Sequence, residues 1–422
     1  MVYCECQTED DVKQLIQWAR VNQGIIIPIG GNTNLVEASI CQPSKWLSSD
    51  DLVLVVSFKN SNITYCKEST MVTCGPMTQL GELNVFLENH NRRWDLNFSA
   101  QSATIGGIIS TNAGGELAKA STQLESMNII CGDGVKRKFH SHHKQTDSVF
   151  PNDGTATQGM IGMITSITLK TKPKWAETCS AMIELPINLV TEFREFVINH
   201  SPMVACELID ANSMKSVTHK KHSGMTLLLK WASEAELDLD DFWEKLIEAY
   251  PKYMDNMMLS DSLEKEEKLW TIRHDVSDAN RRWASENNMS YIGYDLGIPK
   301  KHLAEVIQKI EGHVQQHHGV LFCFGHSMQS STHDTIHCNI AMPQASTQFL
   351  PAFIQHNLGD INIQMAVEHG GCGHKSINDS LISVTDEMME ETKQYLKQYD
   401  PYQLFRRDIK VKMDRLRLDR KV

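Results

Sequence analysis

The 422-residue sequence predicts an α+β fold. Two observations carry that expectation. Residues 1–175 mix short apolar strands, helices and three glycine-rich stretches. From residue 176 the texture changes to two rounds of strand, helix and strand, the pattern of an antiparallel, ferredoxin-like sheet with helices on one face. A helical segment follows near the C-terminus, so the expected divisions are 1–175, 176–365 and 366–422.

Each element has a local reason. "EDDVKQLIQWARV" places Val12, Leu15, Ile16 and Ala19 on one helical face. "GIIIPI" is a short buried strand that Gly30 and Gly31 end. "LVLVVS" and "TMVTCG" are further strands, and "MTQLGELNVFLENHN" is a helix. "GMIGMITSITLKTKPKW" reads as a glycine turn into a strand stopped by Pro173. In the second part, "SAMIELP", "MVACELID" and "GMTLLLKWA" are strands, with helices near 188–199 and over "DDFWEKLIEAY". "MSYIGYDLGIP", the helix "KKHLAEVIQKIEGHV", "GVLFCFGHSM" and "DTIHCNIAM" form the next round. In "TDEMMEETKQYLKQYDP", Thr385 is the N-cap, Asp386 and Glu387 suit the first turn, and Pro401 follows the end.

Composition narrows the function. A net charge of −11 lacks the basic footprint of a nucleic-acid binder. Eleven cysteines, odd in number and without paired spacing, read as reduced thiols, and Cys4 and Cys6 match no zinc framework. There is no signal peptide and no apolar run long enough for a bilayer. The simplest expectation is a cytoplasmic protein. The mixed-charge tail "PYQLFRRDIKVKMDRLRLDRKV" reads first as a solvated end and second as a peripheral membrane contact.

Four stretches carry chemistry. "PIGGNTNL" (Pro28 to Leu35) follows a strand, and its glycines let backbone N–H groups approach a phosphate. It is neither the G-x-G-x-x-G fingerprint nor a P-loop, and alone it is as well a plain turn. "SATIGGIISTNAGG" (Ser102 to Gly115) suits backbone wrapped around a flat ligand, or a tightly packed sheet corner. "GMIGMIT" (Gly159 to Thr165) is the third glycine stretch. "VEHGGCGHK" concentrates Glu368, His369, Cys372, His374 and Lys375 among three glycines: a metal site, a proton-transfer site, or a turn.

In this order and spacing, the first three stretches resemble the FAD domain of the vanillyl-alcohol-oxidase (PCMH) type. Gly30 to Thr33 match P-x-G-G-N/G-T-x-L. Ile105 to Gly107 and Thr111 to Gly115 match I-G-G-x-x-x-T-N-A-G-G. Gly159, Gly162 and Thr165 match G-T-L-G-I-I-T. The resemblance continues to the FAD-linked D-2-hydroxyacid dehydrogenases through "LWTIRHDVSDA", "YIGYDLGIP", "FGHSMQSSTHDTIHCNIAM" and "EHGGCGHK".

That resemblance implies roles. The first part would bind FAD non-covalently through Pro28, Gly30, Gly31, Asn32, Thr33, Asn34, Leu35, Thr104, Gly106, Gly107, Thr111, Asn112, Gly114, Gly115, Gly162 and Ile164. The middle part would bind substrate through Arg273, Ser277 and Asn339, with the last segment returning to the flavin and active site. His326, His337 and Glu368 would hold a divalent ion, zinc or manganese, which polarises a hydroxyl. His369 would take the hydroxyl proton, and Arg273 would clamp the carboxylate. The implied reaction is oxidation of a D-2-hydroxyacid to the 2-oxoacid, with a quinone, an electron-transfer flavoprotein or a cytochrome as acceptor. A homodimer is compatible with this reading.

The sequence also departs from the family pattern. His333 stands at the family spacing from His326, whereas His337 lies in the strand-like "TIHCNIAM" with Asn339 two residues on. His337 is therefore the preferred ligand and His333 the alternative. Gly293 replaces the lysine of Y-K-Y-D, Gln158 an acidic residue, "FRRD" the final N-P-G-K, and Cys372 a glycine. The chain opens on the first strand of the FAD domain, where relatives carry a further N-terminal segment. Cys372 reads as a packing residue, and Cys372 with His374 as extra metal ligands is the minor reading. Two further functions stay open. One is a non-redox transferase of the ether-lipid synthase type, for which His142 and His143 are a faint signal. The other is a catalytically weakened flavoprotein subunit.

Overall fold

The first 21 residues show how local chemistry sets the first elements. Strand β1 (Val2–Cys6) runs into a helix over Glu9–Val21. Thr8 caps that helix: its Oγ1 accepts from Asp11 N at 3.1 Å, and Asp11 Oδ2 accepts from Thr8 N at 2.8 Å. Val12, Ile16 and Ala19 form its buried face. The computed structural model describes the chain apart from residues 34–49, 98–99, 142–156, 261, 330, 345–348, 368–385 and 407–422.

The described residues form two units, Met1–Pro173 with Cys372–Val422, and Lys174–Gly371. In the first, β2 (Ile25–Pro28) and β3 (Val53–Phe58) join β1 in a parallel sheet of order β1-β3-β2. The C-terminal segment extends this sheet. Ile26 N donates to Leu404 O at 2.7 Å, and Arg406 N donates to Ile26 O at 2.9 Å. Phe405 is fully buried with Ile16, Ile26 and Val56.

A second, antiparallel sheet contains β4 (Ile63–Cys66), β5 (Met71–Cys74), β7 (Leu124–Cys131), β8 (Lys136–His140) and β9 (Gly162–Lys170), in the order β4-β5-β9-β7-β8. Between these strands lie helices over Leu80–Glu88 and Ile105–Thr111. The second helix occupies the middle of a stretch that reads from sequence only as glycine-rich. The strand run ends at Pro173 as expected, after a short break at Thr171: Pro173 is the last residue of β10 (Lys172–Pro173), which pairs with β6 (Arg92–Arg93). Proline is tolerated there because the ribbon has only two strands, each of them an edge.

The second unit is an eight-stranded sheet, antiparallel at every pairing. Its strands are β11 (Glu177–Leu185), β12 (Met203–Ile209), β13 (Met225–Ser233), β14 (Met258–Leu259), β15 (Ser290–Pro299), β16 (Val320–His326), β17 (His333–Met342) and β18 (Gln364–Val367). They lie in the order β14-β11-β13-β12-β16-β17-β15-β18. Alternation sorts the side chains. Leu208, Leu227, Leu229, Cys323, Ile336, Cys338, Tyr294 and Leu296 face one core. The helices over Val190–His200, Asp240–Ala249, Leu303–Gln316 and Phe349–Asn357 cover that core. From Leu303–Gln316 it receives Leu303, Val306, Ile307, Ile310 and Val314, each worth about 1.5–3 kcal/mol when fully buried.

The opposite face is also covered, which corrects the expectation of helices on one face only. A 24-residue helix, Leu263–Glu286, packs there with the Ala211–Thr218 helix. Its buried side carries Leu269, Trp270, Val276 and Ala284, but also Glu266, Arg273 and Asn280 at seven-residue intervals. No helix is legible here from the sequence, because these three polar residues interrupt the apolar stripe that would announce one.

The Asp386–Tyr399 helix agrees with the sequence expectation, although Thr385, its expected N-cap, lies outside the described residues. The described cysteines are free thiols. No described helix is long and apolar enough to cross a membrane.

Candidate functional site: a flavin-domain glycine cradle and a histidine–arginine face

In the first unit, three separated stretches converge. Pro28 ends β2, and Gly30, Gly31, Asn32 and Thr33 follow it. Gly31 N donates to Thr104 Oγ1 at 3.1 Å. A Cβ on Gly30 would lie 2.3 Å from the same oxygen, and one on Gly31 would lie 2.8 Å from Ser102 O. No side chain fits at either position, so both glycines follow from the close approach of the two loops. Thr104 is the N-cap residue of the Ile105–Thr111 helix, which contains Gly106, Gly107 and Thr111. Asn112 ends that helix at φ 47°, and its Oδ1 accepts from Ser121 N at 2.9 Å. Gly114 and Gly115 follow it, with Gly114 bridging to Lys119. The third stretch closes on the first two. Gln158 N donates to Ser110 O at 2.8 Å, and a Cβ on Gly159 would lie 3.0 Å from the Pro28 ring. Gly162 and Ile164 stand on β9, paired with Cys131 and Ile129.

This cradle fits a flavin nucleotide. It is walled by backbone and small side chains, and Thr78, whose carbonyl accepts from Ile105 N at 2.8 Å, adjoins it; Thr78 Oγ1 and Gln158 Oε1 are buried without a hydrogen-bond partner among the described residues. Such atoms are costly unless something pairs with them. Asn34 and Leu35 lie outside the described residues, as do His142 and His143.

The second unit gathers its polar residues on the sheet face under the Leu263–Glu286 helix. The register of β12 and β16 sets Glu207 directly opposite His326. His326 Nδ1 and Glu207 Oε1 are 2.6 Å apart. Arg273 comes from the helix, and its Nε donates to Glu207 Oε2 at 2.5 Å. The Arg273 guanidinium also sits 4.9 Å above the Phe324 ring. Glu207 is fully buried, and Arg273 and His326 are each 6% exposed. Burial pushes the Glu207 carboxyl up, but the charges of His326 and Arg273 outweigh it and hold the group below the usual carboxylate range. Glu207 is therefore an ionised acceptor, which makes His326 Nδ1 the donor. The Arg273 Nη groups make no hydrogen bond among the described residues.

One row across, the register aligns Phe324, His337 and Asp295. His337 Nδ1 and Asp295 Oδ1 are 2.6 Å apart. The His326 and His337 rings have centroids 5.7 Å apart at 83°. The next row aligns Phe322, Asn339 and Gly293. Asn339 is 1% exposed, and its Oδ1 has no hydrogen-bond partner among the described residues. Ser277 is half-buried, one helical turn beyond Arg273. Thus Arg273, His326, His337 and Asn339 share one face. His333 is engaged elsewhere: its Nδ1 lies 2.9 Å from Thr332 Oγ1 and its Nε2 3.1 Å from Asn362 O. β18 runs beside Asp295 as far as Val367, and Glu368, His369, Cys372 and His374 lie outside the described residues. Among the described residues no group of three metal-binding side chains occurs.

Glu207 and Asp295 were not singled out from sequence. For Glu207 the available signal was an acid inside an otherwise apolar strand, "MVACELID"; Asp295 also stood at the Asp of the Y-K-Y-D resemblance in "YIGYDLGIP".

The family described as "FAD binding domain" matches residues 1–139, and "FAD linked oxidases, C-terminal domain" matches residues 172–372. The mitochondrial D-2-hydroxyglutarate dehydrogenase of Danio rerio is 23% identical over 379 residues, covering 82% of this chain and 66% of that protein. The Arabidopsis thaliana enzyme of the same name is 20% identical over 368 residues, covering 81% and 62%. The chain thus spans just under two thirds of the length of these relatives. A D-lactate dehydrogenase of Anaerostipes hadrus is 20% identical over 353 residues, covering 79% and 72%. Among solved structures, alkyldihydroxyacetonephosphate synthase matches with a TM-score of 0.71 at 11% identity, covering 95% of this chain and 76% of that one. p-Cresol methylhydroxylase matches with a TM-score of 0.69 at 10% identity, covering 95% and 86%. At such identities the structural likeness shows the fold, which is that of PCMH-type FAD oxidases combined with an antiparallel α+β unit. The chain thus matches, in series, both domains described for FAD-linked oxidases.

Proposed function

We propose that the protein is an FAD-dependent dehydrogenase that oxidises a D-2-hydroxyacid to the 2-oxoacid. The observation that carries this reading is the face holding Arg273, Glu207, His326 and His337. A guanidinium whose Nη groups make no hydrogen bond among the described residues lies next to two imidazoles, each held by a carboxylate. A 2-hydroxyacid presents a carboxylate and a hydroxyl on neighbouring carbons, and the face offers a partner for each. The names of the sequence relatives point to the same substrate class.

The residues divide the work. Arg273 holds the substrate carboxylate. Asn339 Oδ1, buried and without a hydrogen-bond partner among the described residues, accepts a hydrogen bond from the ligand. His369 takes the hydroxyl proton, and the C2 hydrogen leaves as hydride. Bound FAD supplies the two-electron acceptor.

The donor set fits a divalent ion, zinc or manganese. An imidazole whose Nδ1–H is fixed by a carboxylate is a common metal-ligand arrangement, and His326 and His337 each have one. Glu368 would complete the set. A bound ion would polarise the hydroxyl. A quinone, an electron-transfer flavoprotein or a cytochrome would reoxidise the flavin, and a cytoplasmic location suits a soluble 2-hydroxyacid.

The test is anaerobic mixing of the flavin-loaded protein with a panel of D-2-hydroxyacids. Bleaching of the flavin is expected. Retained flavin colour with every acid would instead favour the non-redox transferase or the weakened subunit.

Two further outcomes follow. No histidine occurs in "PIGGNTNL", so acid precipitation should release the flavin into the supernatant. Colour retained in the pellet would overturn non-covalent binding. Chelation should abolish hydroxyacid turnover, and Zn²⁺ or Mn²⁺ should restore it. His326→Ala and Glu368→Ala should both keep flavin and lose metal. Full turnover by a metal-free preparation would refute the ligand set.

A further inference from the structure

We infer that Glu207 is a positioning residue that orients two functional groups at once, one through each carboxylate oxygen. Oε1 accepts from His326 Nδ1 and Oε2 accepts from Arg273 Nε. The inference rests on the proposed roles of His326 and Arg273, but the geometry behind it stands independently.

Glu207 comes to this place through sheet register. It lies directly opposite His326 in the β12–β16 pair, and strand alternation turns it away from the Leu208 core. Arg273 reaches it from the helix above. The carboxylate is fully buried, and each oxygen has one charge-assisted partner. Two consequences follow for the outward-facing atoms. With Nδ1–H committed to Glu207, a neutral His326 carries its lone pair on Nε2, the form that can bind a metal or accept a proton. With Nε committed, Arg273 presents its two Nη groups as a fork for a carboxylate.

The two partners differ in one respect that makes the role testable. Arg273 Nε is always a donor, whereas neutral His326 has two tautomers. A glutamine has one acceptor oxygen. In Glu207→Gln that oxygen must stay with Arg273 Nε, because an amide NH₂ there would face an N–H. The NH₂ group is then left facing His326 Nδ1, which can satisfy it only as an acceptor. The proton moves to Nε2, and the outward lone pair is lost. Glu207→Gln should therefore disable His326 while sparing Arg273.

The experiment compares wild type, Glu207→Gln and Glu207→Ala as full-length flavin-loaded protein, with three readouts. The first is nuclear magnetic resonance of ¹⁵N-histidine-labelled, metal-free protein at a pH where imidazoles are neutral. His326 is assigned by its loss in His326→Ala. The Nδ1–H tautomer is expected in wild type and the Nε2–H tautomer in Glu207→Gln. The second is zinc affinity, expected to fall about 10–100-fold in Glu207→Gln. The third is oxalate binding to metal-free protein, expected to be unchanged in Glu207→Gln and weakened in Glu207→Ala. An unchanged His326 tautomer, or equal loss of zinc and oxalate affinity in Glu207→Gln, would overturn the inference. Failure of wild type to bind zinc would instead count against the metal reading, while the tautomer and oxalate results still decide the role of Glu207.

Discussion

His369→Ala is expected to bind flavin, metal and a 2-hydroxyacid normally and to reduce its flavin about 10²–10⁴-fold more slowly, the usual cost of losing a general base. None of the three binding events needs that imidazole, whereas transfer of the hydroxyl proton does. Arg273 supplies the contrast. Replacing it with alanine would also leave the buried Glu207 carboxylate without its guanidinium. Arg273→Lys is therefore the cleaner variant: it keeps the charge beside Glu207 and removes the two-pronged Nη edge. It should raise the substrate concentration needed for half-maximal reduction and affect the saturated rate less. Single-turnover anaerobic reduction across substrate concentration separates the two signatures. Saturated reduction at the wild-type rate by His369→Ala would show that another group takes the proton. His374 is the first candidate, since both ring nitrogens of His333 already have protein partners.

The second large effect concerns stability. Asp334→Ala should destabilise the protein by about 3–5 kcal/mol, because it leaves the Arg194 charge buried and uncompensated. Arg194 is 1% exposed, and its Nη1 donates to both Asp334 oxygens, at 2.9 and 2.7 Å, and to Ser327 Oγ at 2.8 Å. Ser327 Oγ in turn donates to Asp334 Oδ1 at 2.6 Å. Arg194 Nη2 already lacks a partner among the described residues, so the cluster has no spare acceptor with which to absorb the loss. For a unit of this size the loss corresponds to a fall in Tm on the order of 6–20 °C. Replacing both charges, as in Arg194→Met with Asp334→Leu, should recover much of it, since no uncompensated charge then remains. A fall in stability below about 1 kcal/mol for Asp334→Ala would show that water reaches Arg194.

How legible the protein is from sequence depends on where its constraints lie. Gly30 and Gly31 were readable because the approach of neighbouring loops leaves no room for a side chain, and Gly159 because its φ of 72° favours glycine; both constraints fix the residue type locally. His326 and His337 stood out as chemically distinctive residues in strand patterns. Glu207 did not, since its meaning lies in partners 66 and 119 positions away. Only sheet register and helix docking bring those partners together. The Leu263–Glu286 helix was missed for a related reason. It buries Glu266 against Thr178, Ser180 and Lys230, and Asn280 against Ser213 and Ser216, so its inner face does not look apolar.

The pairing of Ile26 with Leu404 and Arg406 has a consequence for the order of events during synthesis. Almost the entire chain separates these partners, and all of the second unit is made between them. At about 5–20 residues per second, the ribosome takes on the order of twenty to seventy-five seconds to translate that interval. Throughout it, the β2 side of the parallel sheet lacks the segment that will later cover it. The second unit has its complete strand set available earlier, so it can finish folding while the first is still waiting. Exposed strand edges recruit other chains. A ribosome stalled late in the second unit would therefore present the newborn flavin domain as a substrate for chaperones, and release of the C-terminus would end that exposure.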